Sequence, residues 1–405
     1  MNTTFPSRIE LARLVVQRPQ SKFASDLSGH SDSVAERVEG RRVLVVGGAG
    51  SIGSATVREL LRFEPRELHV VDLDENGLAE LARSSRSEGR VRPGTRLRLT
   101  PMDLSGHLMG RMLGSTEPYD LVLNFAALKH VRSEKDVFSQ LRMLDINVVA
   151  ARQLLDWLTD LGTSHYFAVS TDKAANPVNL MGATKRAMEL AMLDARMTQS
   201  VTSARFANVA FSNGSLLDGW LRRLEGRQPW AVPTGTRRYF VTAEESGQLC
   251  LLASTVASDR SIVIPKLDPE LHLRDLVEVA EEVLDFLGLR PLWCTTEDEA
   301  RLRMVETTHA TSWPVLLTPL DTMGEKNFEE FVGAGDILGA DHFEDLRTLH
   351  TLQPSPDRLD AFLEKATWLL STDGPVSSDD LITCLHLVVP ELMHTSSAKS
   401  LDARM

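Results

Sequence analysis

The chain has few of the features that mark several common protein classes. Its 405 residues include only three cysteines, Cys250, Cys294 and Cys384, which lie far apart in the sequence. Such a set provides neither a disulfide framework nor closely spaced metal ligands, and it favours a reducing cytoplasm. The apolar runs are shorter than the roughly 18 residues that a membrane-spanning helix needs, and the polar N-terminus does not resemble a signal peptide. We therefore expect a cytoplasmic protein with no metal site and no membrane partner.

Positive charge is also scarce. The chain has 44 Lys and Arg residues against 56 Asp and Glu residues, which gives a formal net charge of −12 at pH 7. Nucleic acids and anionic membrane surfaces bind clustered Lys and Arg, so neither is expected as the main partner. A phosphorylated ligand would have to be held by backbone donors and a few well-placed cations.

The pattern along the chain predicts an α/β protein. Residues 1–40 are predicted to form one amphipathic helix, in "FPSRIELARLVVQRP", and then a Ser-, Asp- and Gly-rich linker. From Arg42, apolar strands alternate with helices, which predicts a doubly wound parallel sheet covered on both faces. After Asn208 the alternation weakens, as expected for a smaller substrate domain. The predicted units are an N-terminal extension (1–40), a Rossmann domain (41–207), a substrate-binding region with C-terminal helices (208–392) and a disordered tail (393–405).

The segment "VLVVGGAGSIGS" contains the first chemical motif. Gly47, Gly50 and Gly53 lie directly between a predicted strand and a predicted helix. Glycines there allow a tight turn and close approach to a pyrophosphate, which the helix N-terminus then binds. Asp72 ends the next strand about 20 residues later, where a carboxylate binds the adenosine ribose hydroxyls. Because that carboxylate would repel a 2′-phosphate, the pattern favours NAD over NADP.

Further cofactor contacts are expected at the ends of the next two strands. Asp103 follows the third strand and could contact the adenine, although a solvated loop aspartate is the alternative. "NFAAL", residues 124–128, closes the fourth strand with small side chains where a nicotinamide ribose would pass. The other residues expected at the cofactor are Ser51, Ile52, Leu104, Ala126 and Ala127.

Six segments occur in the order found in a known family. They are "GGAGSIGS", "NFAALKHV", "STDKAANPVNLMGATKR", "RFANVAFSNGSLL", "TRRYFVT" and "VIPKL". The sequence resembles the nucleotide-sugar 4,6-dehydratases of the polysaccharide-biosynthesis branch of the extended short-chain dehydrogenases, typified by UDP-N-acetylglucosamine 4,6-dehydratases. The resemblance runs from about Arg42 to about Arg290. "GEKNFEEF", near residue 324, resembles the family's GEK-containing segment, displaced by an insertion that begins after Pro291.

The resemblance implies an enzyme that uses bound NAD and acts on a nucleotide-activated hexose, with UDP-N-acetylglucosamine as the expected substrate. Hydride leaves carbon 4, water is eliminated across carbons 5 and 6, and hydride returns to carbon 6. By motif position Asp172 would be the acid and Lys173 the carbon-5 base, while Thr171 would hydrogen-bond the 4-hydroxyl. A protonated aspartate and a neutral lysine both require a dry site that shifts their pKa values. We also expect a homo-oligomer.

One position departs from the usual pattern of short-chain dehydrogenases. They carry a tyrosine four residues before a lysine, whereas Lys185 here is preceded at that spacing by Met181. A thioether cannot exchange a proton at neutral pH, so Met181 is expected to fill space. Some members of this branch also carry methionine there. Lys185 would then hold the nicotinamide ribose and favour the 4-alkoxide.

The resemblance assigns further binding residues by position. Lys129 and His130 would contact cofactor or substrate, and Asn147 would support the cofactor site. Arg238 suits a pyrophosphate because its planar fork can donate two hydrogen bonds. For each basic residue, surface solvation is the alternative. The residues expected to face the nucleotide sugar are Lys129, His130, Asn208, Ser212, Arg238 and Lys266. Asn213 replaces the arginine of the family's "SRGS", which leaves the identity of the sugar nucleotide open.

Two kinds of alternative function stay open at this point. The same scaffold could catalyse 4-epimerisation, 5-epimerising dehydration or 5,6-dehydration without hydride return. The chain could also be a non-catalytic dinucleotide-binding regulator, although the intact Asp172–Lys173 pair argues against that function.

Overall fold

The computed structural model describes residues 6–129, 134, 136–306, 311–319, 329–340 and 342–393. His130, the first part of the "GEKNFEEF" segment and the predicted tail beyond Met393 lie outside these residues. Among the described helices, none combines the length and the apolar character that crossing a bilayer requires.

The described residues form sixteen α-helices and fifteen strands. The helices are α1 (Arg8–Val16), α2 (Ala24–Gly29), α3 (Ser31–Val38), α4 (Ser51–Leu60), α5 (Glu75–Ser87), α6 (His107–Gly114), α7 (Val137–Leu144), α8 (Ala150–Asp160), α9 (Leu180–Met192), α10 (Leu216–Glu225), α11 (Ala243–Thr255), α12 (Pro269–His272), α13 (Leu276–Phe286), α14 (Glu297–Glu306), α15 (Pro356–Ser371) and α16 (Ser378–His386). The strands are β1 (Arg42–Val46), β2 (Glu67–Asp72), β3 (Arg96–Pro101), β4 (Leu121–Asn124), β5 (His165–Val169), β6 (Ser200–Ala204), β7 (Asn208–Val209), β8 (Trp230–Pro233), β9 (Arg237–Val241), β10 (Ser261–Pro265), β11 (Leu273–Asp275), β12 (Arg290–Cys294), β13 (Ser312–Thr318), β14 (Asp336–Leu338) and β15 (Leu346–Thr351).

A nine-stranded sheet forms the centre of the molecule, with strand order β3-β2-β1-β4-β5-β6-β10-β15-β14. The strands from β3 to β10 are parallel, whereas β15 and β14 are antiparallel to their neighbours. The predicted doubly wound α/β class is confirmed. The chain reverses its direction across the sheet between β1 and β4, and ligands bind beyond the carboxyl ends of the strands at such a reversal.

Helices cover both faces of this sheet. Apolar residues of α3, α4 and α11 pack on one face, and those of α6, α8 and α9 pack on the other. The strand "RVLVV" is buried along its whole length, which explains its continuous apolar sequence.

The chain after Asn208 contributes to three sheets. Strands β10, β14 and β15 join the large sheet, so the predicted substrate-binding region supplies one of its edges. Strands β7, β9 and β11 form one small sheet, and β8, β12 and β13 form a parallel one. Part of the insertion after Pro291 therefore forms β12, α14 and β13.

The N-terminal extension differs from its prediction. The predicted helix is α1, which begins with a capping box between Ser7 and Glu10. The predicted linker is wrong, because its residues form α2 and α3 and bury Phe23, Val34 and Val38 in the main core. The polar composition of this segment obscured the few apolar residues that fall on one helical face.

Asp26 shows how tightly this segment is bound. Its buried carboxylate accepts hydrogen bonds from the backbone N–H groups of Glu344 (2.6 Å) and Asp345 (2.9 Å), more than 300 residues away in the sequence. We expect Asp26→Ala to lower the free energy of unfolding by about 1–3 kcal/mol, because two donors lose their acceptor. Urea denaturation measures this change. The control, exposed Glu36→Ala, should stay within about 0.5 kcal/mol of the wild type. If both variants lowered the free energy of unfolding equally, the two hydrogen bonds to Asp26 would not be stabilising the fold.

A pair of C-terminal helices covers one side of α9. Helices α15 and α16 pack on α7 and α9, and residues Leu180 to Met192 of α9 are all buried. Phe362 of α15 and Leu385 of α16 are fully buried in the same apolar cluster. We call α15 and α16 the C-terminal hairpin.

Candidate active site

The glycine-rich loop lies at the reversal point of the large sheet. It joins β1 to α4, and Gly50 is the N-cap residue of α4. Gly47 has φ +75°, and a Cβ atom there would lie 2.5 Å from the backbone nitrogen of Ala126. This loop can therefore approach the turn after β4 only with glycine at position 47. The free N–H groups at the start of α4 can bind a pyrophosphate.

Asp72 lies beside this loop at the end of β2. Its carboxylate accepts hydrogen bonds from the backbone nitrogens of Ala49 (2.8 Å) and Asp74 (3.0 Å). These bonds orient the carboxylate at the predicted ribose position, and the side chain is only half-buried.

Asp103 is bound to another helix. Its carboxylate accepts from the backbone nitrogen of Ser105 (3.0 Å) and pairs with Arg142 of α7 (2.7 Å). Partial burial opposes ionisation, but the hydrogen bonds from Ser105 and Arg142 hold the pKa of this carboxyl below its usual value. Contact with an adenine would have to coexist with the Arg142 pair. The neighbouring Leu104 is buried.

Asn147 holds the turn after β4 in place. It lies in a π-helical turn, Asp145–Val149, between α7 and α8. Its side-chain oxygen accepts from the backbone nitrogen of Leu128 (3.0 Å). Its amide donates to the Leu128 carbonyl (3.0 Å) and the Thr184 hydroxyl (3.1 Å). Both amide hydrogens are therefore used within the protein, so Asn147 supports the site from behind and does not donate to the cofactor.

Lys129, Ser51 and Asn213 connect the glycine-rich loop to the loop before α10. The Lys129 ammonium donates to the Asn213 carbonyl (3.0 Å), and the Asn213 backbone N–H donates to the Ser51 hydroxyl (2.9 Å). Both contacts use the backbone of residue 213, so they do not require the arginine of the "SRGS" pattern. Ile52 and Ala127, also expected at the cofactor, are half-buried.

The TDK triplet, Thr171 to Lys173, follows directly after β5. Thr171 caps a short 3₁₀ turn, Asp172–Ala174. Its hydroxyl donates to the Asp172 carboxylate (2.7 Å), and the Lys173 ammonium lies 3.2 Å from that carboxylate. Asp172 is buried, whereas the side chain of Lys173 is 36% exposed. A hydroxyl, a carboxylate and an ammonium are therefore in direct contact.

The surroundings of Lys173 favour its charged form. Burial acts to lower its pKa, but the carboxylates of Asp172 and Glu329 raise it more, so the pKa lies above its usual value. The second of these carboxylates comes from a distant part of the chain. The neutral lysine that the predicted chemistry requires is therefore not the form that the site favours without a bound sugar.

Lys185 and Met181 lie on the buried helix α9. The Lys185 ammonium donates to the carbonyl of Val169, the last residue of β5 (3.0 Å). Burial lowers the pKa of Lys185 to about 8, although Glu189 opposes this change. Met181 packs in the apolar cluster that contains the C-terminal hairpin, and its N–H donates to Glu134 (2.9 Å).

A cavity of about 230 Å³ opens beside the TDK triplet. Four predicted residues line it together: Asp172 and Lys173 from the turn after β5, Asn208 from β7 and Arg238 from β9. Other lining residues include Asn176, Ser215, Thr236, Phe240, Glu329 and Glu330.

Three of the described residues predicted to bind substrate do not line this cavity: Lys129, whose contacts are given above, Ser212 and Lys266. Ser212 lies in a turn where its N–H bonds the Val209 carbonyl, and Ser215, the N-cap residue of α10, reaches the cavity in its place. The Lys266 ammonium donates to the Phe343 carbonyl (3.0 Å) and holds the segment before β15. Ser212 and Lys266 were assigned to the substrate by motif position, which does not show where a turn directs its side chains.

Glu329 is a site residue that the sequence interpretation missed. It is buried, and its carboxylate accepts from the Tyr239 backbone nitrogen (3.1 Å) and from the Asn208 amide. It also lies 3.4 Å from the Arg238 guanidinium. Burial and the nearby Asp172 carboxylate raise the pKa of Glu329 to about 7. The "GEKNFEEF" match indicated this segment, but nothing in the local pattern distinguishes Glu329 from Glu330.

Comparison with solved structures agrees with this architecture. The chain superimposes on DesIV, a dTDP-glucose 4,6-dehydratase from Streptomyces venezuelae solved with NAD bound, with a TM-score of 0.55. The match covers 85% of this chain and 96% of DesIV at 19% identity. At this identity the match shows a shared fold.

Sequence comparison identifies curated relatives of known and unknown activity. An uncharacterized membrane protein of Methanocaldococcus jannaschii is 29% identical, over 76% of this chain and 84% of that protein. A UDP-N-acetylglucosamine 4,6-dehydratase (inverting) of Campylobacter jejuni is 27% identical, over 62% of this chain and 75% of the enzyme. For two other curated relatives, the match covers 47% and 45% of their lengths, so the chain spans about half of each.

A family model also matches more than half of the chain. It describes polysaccharide biosynthesis proteins and covers residues 43–310. These residues include the glycine-rich loop, the TDK triplet, α9 and the strands that carry Asn208 and Arg238. The chain therefore belongs to this family of polysaccharide biosynthesis proteins.

Proposed function

We propose that the protein is an NAD-dependent 4,6-dehydratase of a nucleotide-activated hexose, with UDP-N-acetylglucosamine as the substrate. One observation carries this proposal. A hydroxyl, a carboxylate and an ammonium lie together at the carboxyl end of β5, on Thr171, Asp172 and Lys173. They border a cavity that Arg238 also lines. Dehydration needs several proton transfers at adjacent sugar atoms, and these side chains can accept and donate protons there.

The residues around the glycine-rich loop suit a dinucleotide. The glycine-rich loop and the start of α4 would hold the pyrophosphate, Asp72 would accept from the adenosine ribose, and Lys185 would face the nicotinamide ribose. Bound NAD would supply a hydride acceptor for carbon 4 and a hydride donor for carbon 6. Curated relatives and solved structures of this fold include nucleotide-sugar dehydratases, which supports this assignment.

The protons balance with these three side chains once Lys173 enters the cycle as the neutral amine. As hydride leaves carbon 4, the 4-hydroxyl proton passes through the Thr171 hydroxyl to Asp172, which then becomes the acid. The new ketone acidifies the carbon-5 proton, which Lys173 removes. Asp172 gives its proton to the 6-hydroxyl, which leaves as water, and hydride then adds to carbon 6. Lys173 returns its proton to carbon 5, so the only net change is the loss of water.

An isotope experiment tests this proposal. UDP-N-acetylglucosamine carrying deuterium at carbon 4 would be incubated with the protein and NAD, and the products followed by mass spectrometry and NMR. We expect loss of one water and deuterium at carbon 6. Water loss with the label still at carbon 4 would show 5,6-dehydration without transfer. An inverted carbon 4 without water loss would show a 4-epimerase.

A panel of UDP-, GDP- and dTDP-hexoses tests the substrate. Dehydration of another member only would replace UDP-N-acetylglucosamine with that sugar nucleotide. If no member changes while NAD binds, the regulatory alternative replaces the enzyme.

Asp72 should make the protein prefer NAD. A 2′-phosphate would remove a hydroxyl donor from this carboxylate and add repulsion, so NADP should bind more weakly by at least about 1–3 kcal/mol. Calorimetry with both cofactors measures the difference. Asp72→Asn should reduce the difference in affinity between NAD and NADP. The amide no longer repels the 2′-phosphate, and its oxygen can still accept from the Ala49 N–H. Glu75→Gln, at the exposed start of α5, is the matched control. Equal affinities in the wild type would refute the role of Asp72.

A further inference from the structure

Glu329 belongs to a segment that is anchored firmly beside the TDK triplet. Gly333 packs so closely that a Cβ atom there would lie 1.9 Å from the Ala175 carbonyl oxygen. Three residues later, Asp336 forms ion pairs with Arg205 and Arg186 (3.1 Å to Arg186), and all three side chains are buried. These contacts attach the segment to the turn after β5, to the residue directly after β6 and to α9. The position of Glu329 is therefore set by the fold.

Four charged groups face one another at the cavity. Asp172 and Lys173 come from the turn after β5, Arg238 comes from β9, and Glu329 comes from the segment before β14. The neighbouring Glu330 accepts from the Asn176 side chain (3.1 Å). The two nearest donors to Glu329, the Asn208 amide and the Tyr239 N–H, are uncharged. Glu329 also pairs with the Arg238 guanidinium (3.4 Å), and no ion pair joins Glu329 to Lys173 among the described contacts. A proton transfer between Lys173 and Glu329 therefore needs a bridging group, such as a hydroxyl of the bound sugar.

The proposed reaction leaves one proton without a place to go. Lys173 begins as an ammonium, yet it must be neutral to remove the carbon-5 proton. Asp172 cannot take the Lys173 proton, because Asp172 receives the proton of the 4-hydroxyl in the same half-reaction. A second acceptor is therefore needed within the site. Of the two other carboxylates that line the cavity, Glu330 is hydrogen-bonded to Asn176, whereas the charge of Glu329 acts on Lys173.

We propose that Glu329 accepts the ammonium proton of Lys173 when the sugar fills the cavity, and that it returns this proton at the end of the cycle. This inference rests on the proposed dehydration. The transfer converts a carboxylate and an ammonium into a carboxylic acid and an amine, so no atom or charge is lost. A sugar that displaces water favours the neutral pair, since a dry site penalises both charges. Glu329 acts through Lys173, and it is a positioning residue for the base.

The pKa values of the two groups fit this role. Burial and Asp172 raise the pKa of Glu329 to about 7, so the carboxyl can hold a proton near neutral pH. The pKa of Lys173 is raised, by Asp172 and Glu329 together, against the effect of burial. An ionised Glu329 can accept a proton and a protonated one cannot. Turnover should therefore fall as the pH drops through about 7.

Glu329→Gln tests the inference, because it keeps the shape and one acceptor but cannot titrate. We expect water elimination to slow by about a hundredfold or more, while hydride removal from carbon 4, followed as NADH absorbance, stays within a few-fold of wild type. The acidic limb of the pH profile of kcat should disappear. The defect should shrink at high pH, where Lys173 loses its proton to solvent.

Two control variants make each outcome decisive. Glu36→Gln, at an exposed position of the N-terminal extension, should behave as wild type, and Glu329→Asp should restore part of the rate and the acidic limb of the pH profile. A Glu329→Gln enzyme with wild-type elimination and an unchanged limb would overturn the inference, and so would equal losses in both steps with no change in pH profile. A wild-type protein that dehydrates no nucleotide sugar would instead refute the proposed function. In that case infrared titration of the carboxyl band still decides whether Glu329, and not Glu330, takes up a proton near neutral pH.

Discussion

Lys173→Met should stop water elimination and leave the first hydride transfer at least partly intact. The methionine side chain has no group that can remove the carbon-5 proton. Thr171 and Asp172, which are proposed to take the 4-hydroxyl proton, are still present. The variant should therefore accumulate NADH and a 4-keto sugar that keeps its 6-hydroxyl. Single-turnover absorbance measures the NADH, and mass spectrometry of the bound sugar shows whether water was lost.

The structure suggests a control for this variant. Removing the Lys173 ammonium deprives Asp172 of its paired cation (3.2 Å) and Glu329 of a nearby positive charge, which can disturb the site in addition to the chemistry. Lys173→Arg keeps the positive charge, and its guanidinium stays protonated and cannot act as a base. Both variants should fail to eliminate water, and the arginine variant should form NADH at least as well. Dehydration at a near wild-type rate by either variant would show that Lys173 is not the base.

The second large effect is expected at Thr171. Thr171→Val keeps the shape but removes the hydroxyl that donates to Asp172 and is proposed to contact the 4-hydroxyl. Losing a group engaged in proton transfer should lower kcat by on the order of a hundredfold or more. Thr171→Ser keeps a hydroxyl and should retain most of the activity.

Met181 is the matched comparison for Thr171. Met181→Leu keeps the volume of a buried side chain and should cost less than about 1.5 kcal/mol, or roughly tenfold in rate. Steady-state kcat of the three variants, with thermal unfolding to confirm their folds, measures the contrast. If Met181→Leu were inactive and Thr171→Val active, the proton path would run on the Met181 side of the site and not through Thr171.

The parts of this protein that local sequence patterns determine could be predicted well. Contacts between residues close in the sequence determine the glycine-rich loop, the position of Asp72 and the strands from β1 to β6. A run such as "RVLVV" must be buried on both faces, and glycines between such a strand and a helix allow one kind of turn. The same logic placed Asp172, Lys173, Asn208 and Arg238 by motif, and the fold brings them to one cavity.

The errors concern contacts between distant parts of the chain. Glu329 contacts Asn208 and Tyr239, which lie about a hundred residues earlier in the sequence, and no local pattern indicates these contacts. The same carboxylate contributes to the raised pKa of Lys173, an effect that the triplet alone does not indicate. The predicted linker after α1 was misjudged for a related reason: Phe23 and Val34 are buried by strands and helices that lie elsewhere in the sequence.

The C-terminal hairpin has a consequence for the order in which this protein matures during synthesis. Helix α9 carries Met181 and Lys185, but the apolar residues that cover its outer side come from α15 and α16, about 170 residues later. A ribosome that has released the chain only through β10 has exposed the glycine-rich loop and the TDK triplet without Glu329 or the hairpin. Chains fold progressively from the N-terminus as they emerge. The nascent protein should therefore acquire a nucleotide crevice before it acquires a closed catalytic site, and chains stopped before residue 356 should remain dependent on chaperones.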